Sequence, residues 1–84
     1  MIINGGIIMD NKKIDTLLKS KDIKYTDIAK RLGRFKQSIH NTKNKGTWTG
    51  DDLITIADLT NTELAFIDPT DKSIIISFSI KDLA

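Results

Sequence analysis

Apolar positions along this chain recur with a helical period over its first two thirds and with a strand period near its end. Ile14, Leu17 and Leu18 fall at i, i+3 and i+4, which places them on one face and predicts a first helix over residues 10–21. Asp10 or Asn11 stands before it as an N-cap able to accept from the unpaired N–H groups of the first turn. Ile28, Ala29 and Leu32 predict a second, shorter helix over residues 25–32, with Gly33 just past its end, where the left-handed conformation is needed. A third helix is expected over residues 36–44 and is ended by Gly46; Ile39 is its only large apolar residue, so it reads as a polar helix pinned at one point. Thr49 is placed to N-cap a fourth helix that opens with Asp51 and Asp52, acids suited to the positive end of a helix dipole, and whose core face is Leu53, Ile54, Ile56, Ala57 and Leu59.

After Asn61 the period shortens to two. Residues 63–68 alternate, and over residues 73–80 Ile74, Ile76, Phe78 and Ile80 point one way while Ser73, Ile75, Ser77 and Ser79 point the other. Residues 68–72 between them are rich in turn formers, so a β-hairpin is expected. An isolated two-stranded hairpin is marginal in water, so its apolar face must lie on the helices or pair with another chain. Residues 1–9 are apolar but interrupted by Asn4, Gly5 and Gly6 and lack a basic start, which argues against a signal peptide or a membrane span. They read as a flexible leader, with an extra strand as the alternative. The expected organisation is thus a leader over 1–9, a helical domain over 10–62 and a hairpin over 63–84, in a cytoplasmic protein.

Length and composition narrow the function. With 84 residues the chain is one small unit without a separate catalytic domain, and with no cysteine it has no disulfide, thiolate metal site or cysteine nucleophile. His40 is the only histidine, too few for a zinc site, and no nucleophile–base pair is visible, so neither an enzyme nor a cofactor is expected. The net charge of +2 conceals an asymmetry: residues 12–46 carry eleven basic side chains against three acids, a net of +8, while residues 47–84 carry two against seven, a net of −5. Only the first half is suited to a polyanion.

Two short helices joined through Gly33, the second polar and basic, are what a helix-turn-helix requires: one helix braces across the phosphate backbone and the next lies in the major groove. The stretch from Lys21 to Gly46 resembles the helix-turn-helix of the Cro and lambda-repressor-like (xenobiotic-response-element) family, the match being carried by Ile23, Ile28-Ala29, Leu32-Gly33, Lys36-Gln37-Ser38-Ile39 and Gly46. The resemblance covers roughly residues 12–62 and implies a mainly α, four-helix lambda-repressor-like domain, followed here by the C-terminal β-hairpin. Compact regulators of that family are common among phages and mobile elements. The chain departs from the family pattern at Phe35, where a capping Ser or Thr is usual, at Lys24 and Tyr25, where Ser or Thr and Gln are common, and at Thr42, which replaces a bulky apolar residue. The loss at Thr42 is expected to loosen the third helix unless Phe35 and Trp48 pack beside it.

The third helix has the chemistry of a base reader in its own right. Lys36 suits guanine O6 and N7, Gln37 and Asn41 each suit adenine N6 and N7, and Ser38 and His40 suit a single base edge or a phosphate. Tyr25, Lys24, Lys30, Arg34, Lys43, Asn44, Lys45 and Thr47 are the candidates for the phosphate backbone. Lys12, Lys13, Lys19 and Lys21 read as ordinary solvated surface, Trp48 as a core plug and Asp51 and Asp52 as capping acids. The expected function is sequence-specific binding of double-stranded DNA by a repressor. A homodimer is expected through Ile74, Ile76, Phe78 and Ile80, because an apolar edge strand invites pairing with its copy. The alternative is a protein-interaction module on the same scaffold, with a partner-regulator or antitoxin-like role through the hairpin. No membrane and no small-molecule ligand is expected among its partners.

Overall fold

A computed structural model describes residues 11–83 and the backbone of Ile2, Ile3, Gly6 and Ile7. The chain is mainly α: α1 (Lys12–Ser20), α2 (Tyr25–Leu32), α3 (Lys36–Lys45) and α4 (Gly50–Leu59) precede a C-terminal antiparallel hairpin and one 3₁₀ turn, Ile80–Asp82. At the other end β1 (Ile2–Ile3) pairs antiparallel with β2 (Gly6–Ile7), the strand alternative for that stretch; the remainder of residues 1–10, including the N-cap candidate Asp10, lies outside the described residues. Among the described residues no helix is long and apolar enough to cross a membrane.

Each helix ends where its local chemistry requires. Gly33 and Gly46 close α2 and α3 in the left-handed region, with φ of 65° and 66°, so that each returns its N–H to the last turn. Thr49 caps α4 reciprocally: its Oγ1 accepts from the Asp52 N–H and the Asp52 carboxylate accepts from the Thr49 N–H, both at 3.1 Å. The α1 cap differs from expectation. Asn11 occupies the N-cap position without a side-chain bond to a backbone N–H of the first turn, because its amide is taken up by the side chains of Asp15, Tyr25 and Trp48.

One core joins the four helices. Ile14 and Leu18 of α1, Ile28 and Ala29 of α2, Ile39 of α3 and Ile56 of α4 close around Trp48, which the α3–α4 loop delivers as the expected plug. Ile28 and Ile39 are fully buried, each contributing about 1.5–3 kcal/mol relative to an exposed side chain. The faces of α2 and α4 meet, and the Arg31 guanidinium at the end of α2 pairs with Asp58 of α4.

The hairpin departs from simple alternation. Strand β3 (Leu64–Ile67) pairs with β4 (Ile74–Phe78) as Leu64↔Phe78, Ala65↔Ser77 and Phe66↔Ile76, but Ile67 then faces Ile74. Ile75 is thus the extra residue of a bulge that breaks the period of two. Ile80, expected to extend the strand, instead starts the 3₁₀ turn, because the Ser79 N–H is captured by the Asp82 carboxylate at 2.8 Å. That turn and β3 pack on α4, so the base of the hairpin is anchored while its outer part projects.

Candidate nucleic-acid interface

The turn of residues 33–35 between α2 and α3 is short and internally braced. The Arg34 N–H donates to the Ala29 carbonyl at 2.9 Å, and the Phe35 carbonyl accepts from the Ile39 N–H, which starts α3. Ile39 is buried against α2, and Thr42, one turn on, is buried as well. The third helix is therefore pinned at two points rather than one. Thr42 is not a weak point, because its hydroxyl donates to the Ser38 carbonyl and accepts from the Arg34 guanidinium at 2.8 Å.

What α3 turns outward is polar. Lys36, Gln37, His40, Asn41, Asn44 and Lys45 are exposed. Gln37 and Asn41, one turn apart, are linked by a bond of 3.1 Å from Gln37 Nε2 to Asn41 Oδ1. That link holds the two amides side by side and leaves the Gln37 Oε1 acceptor and the Asn41 Nδ2 donors directed elsewhere. Lys36 and His40 lie on the flank nearer α2, where with Tyr25, Thr26 and Ile39 they line a cleft of about 200 Å³.

Several expected phosphate contacts are engaged within the protein instead. Arg34 is drawn inward: Nε and one terminal nitrogen donate to Ser38 Oγ at 3.1 and 2.8 Å, that nitrogen also reaches Thr42, and the other lies 3.6 Å from the Asp52 carboxylate. Ser38 is correspondingly half-buried, its hydroxyl oxygen accepting from Arg34. Tyr25 donates its hydroxyl proton to Asp15 and accepts from Asn11, and its ring stacks on Trp48 with centroids 6.4 Å apart. Burial first, and then the bond to Asp15, push its ionisation well above the ordinary tyrosine value of 10.0. The Lys43 ammonium lies over the same ring, 4.6 Å from its centroid. Lys24, Lys30, Asn44, Lys45 and Thr47 remain exposed as expected. Phe35, expected to pack beside α3, is instead 86% exposed.

The second outward feature is the hairpin. Phe66, Ile67, Ile74, Ile75 and Ile76 are all exposed, at 49–68%. Of the four residues expected to form the interface, Ile74 and Ile76 are among these. Phe78 is half-buried edge-on against Phe66, with centroids 6.1 Å apart, and Ile80 has left the strand. Phe66, Ile67 and Ile75 were missed by the alternation, the last because the bulge resets its direction. A position assigned to the polar face yet occupied by isoleucine was the available signal.

No family model, curated protein or solved structure matches the chain.

Proposed function

We propose that the protein is a sequence-specific double-stranded DNA-binding regulator, a repressor of Cro and lambda-repressor-like pattern, working in the cytoplasm as a homodimer. The observation that carries this reading is α3: buried Ile39 and Thr42 hold it against the rest of the fold while it presents the linked amides of Gln37 and Asn41 between exposed Lys36 and Lys45. A helix that is anchored on one side and rich in donors, acceptors and positive charge on the other fits a major groove, whose base edges are read by bidentate amides. The exposed hairpin supports pairing with a second copy, since β4 carries apolar side chains on an unpaired edge.

Selection of duplexes from a random pool, followed by titration at several salt concentrations, tests the reading. A recovered consensus with two half-sites about 34 Å apart is expected. Gln37→Ala should weaken binding to it about 5- to 150-fold, the range of one lost bidentate pair. Affinity that does not fall steeply with salt, or that is unchanged in Lys36→Ala and Gln37→Ala, refutes DNA binding. That outcome, together with capture of another regulator through the hairpin, would favour the interaction-module alternative, for which the exposed apolar residues of β3 and β4 are the supporting observation.

A further inference from the structure

Phe35 is the most exposed large apolar side chain among the described residues, yet nothing in its setting leaves it loose. It occupies the N-cap of α3 with φ −68° and ψ 148° and makes no capping bond. Before it, Arg34 is tied by its backbone to Ala29 and by its guanidinium to Ser38 and Thr42; after it begins the pinned helix α3. The ring is therefore displayed on a braced turn at the leading end of the presented helix. Its chain neighbours at the start of that helix, Lys36 and Gln37, are exposed and polar, so it is not part of a broad apolar patch of the kind that docks a protein. A phenyl ring has no donor for a phosphate. What a major groove offers an isolated apolar side chain is the C5-methyl group of thymine.

We propose that Phe35 is a specificity-determining residue that reads a thymine by packing its ring on that methyl group, beside the base pairs met by Gln37 and Asn41. The inference rests on the DNA-binding reading and adds an apolar contact to its polar ones.

The test uses the duplex that the full-length protein recovers from a random pool, and the same duplex with deoxyuridine replacing each thymine in turn. For the wild type, one substitution per half-site should weaken binding about fourfold, the effect of one methyl group lost from an apolar contact. Phe35→Ala should bind the thymine and deoxyuridine duplexes equally and keep its salt dependence, with an unchanged unfolding midpoint because the side chain supports nothing. Phe35→Leu should retain part of the discrimination. Equal deoxyuridine penalties in wild type and Phe35→Ala, or a wild type indifferent to deoxyuridine everywhere, overturn the proposal while leaving DNA binding intact. Recovery of no duplex at low salt overturns both, and marks the failure as that of the DNA reading itself.

Discussion

Asn11 joins three parts of the fold that are remote in sequence, and its replacement by alanine has a cost that can be worked from its partners. Its Oδ1 accepts from the Trp48 indole N–H at 2.7 Å, and its Nδ2 donates to Asp15 at 3.1 Å and to the Tyr25 hydroxyl. Trp48 is buried, so its indole donor depends on this acceptor. A buried donor left without a partner costs about 1–3 kcal/mol, whereas Tyr25 and Asp15 keep each other and lose about 1 kcal/mol between them. No capping loss is added, since Asn11 makes no capping bond. The sum is about 2–4 kcal/mol. A domain of this size has a total stability of about 4–13 kcal/mol, so Asn11→Ala should lower the melting temperature by about 10–30 °C.

Trp48, the only tryptophan, reports unfolding in urea directly through its fluorescence. A double-mutant cycle with Trp48→Phe, followed by circular dichroism, isolates the bond: the second substitution should cost about 1 kcal/mol less when Asn11 is already alanine. A cost for Asn11→Ala below about 0.5 kcal/mol, or additive substitutions, would refute the claim that this amide holds the tryptophan in place.

Three further outcomes are expected. Thr49→Ala removes the acceptor for the Asp52 N–H and should destabilise the fold by about 1 kcal/mol in urea, with no loss indicating that α4 needs no cap. Phe35→Ser places a hydroxyl at an uncapped N-cap that already has the required extended backbone, and should stabilise the fold by about 1 kcal/mol; a lower midpoint would contradict the cap geometry. The pH response of Tyr25 has a definite sign. Its folded value lies above the ordinary 10.0, so its contribution is complete below pH 10.0 and is lost as pH rises beyond it; absorbance titration of this single tyrosine should show late ionisation, and a midpoint at 10.0 in the folded protein would contradict its burial.

The helices were legible because their signals are local. A glycine at the end of α2 and of α3, and Thr49 three residues before Asp52, set boundaries without reference to the rest of the chain. Asn11 carried the same kind of signal and misled, because its partners stand 14 and 37 residues away and outcompete the first turn of α1 for its amide. The hairpin was legible as a pair of strands, but its facing was not, since one bulged residue reverses every inference drawn from alternation beyond it. At the candidate site, the exposed face of α3 followed from its single large apolar residue. The inward turn of Arg34 did not: a basic side chain beside a presented helix reads as a phosphate contact. The buried hydroxyl of Thr42 was the clue, because a buried polar group needs partners and Arg34, eight residues earlier, is long enough to reach it.

This inward turn changes the meaning of the charge asymmetry. The chain has only two arginines, and both pair with acids of α4: Arg31 with Asp58 and Arg34 with Asp52. Two charges of each sign thus cancel where α2 and its turn meet α4, reducing the +8 of residues 12–46 to +6 and the −5 of residues 47–84 to −3. What remains beside α3 is lysine, a point charge that holds a phosphate without the geometric selectivity of a guanidinium. On the proposed DNA-binding reading, selectivity then falls to the amides of Gln37 and Asn41 and to Phe35, and affinity to exposed Lys24, Lys30, Lys45 and Lys36, the last placed on a phosphate rather than on guanine. Four phosphates neutralised per protomer make eight per dimer, so the logarithm of the binding constant should fall against the logarithm of salt concentration with a slope of about −7. A slope of about −4 would assign the binding to a single protomer. A slope of about −11, equivalent to two more phosphate contacts per protomer, would mean that both arginines leave α4 for the DNA, and would refute the structural role given to them here.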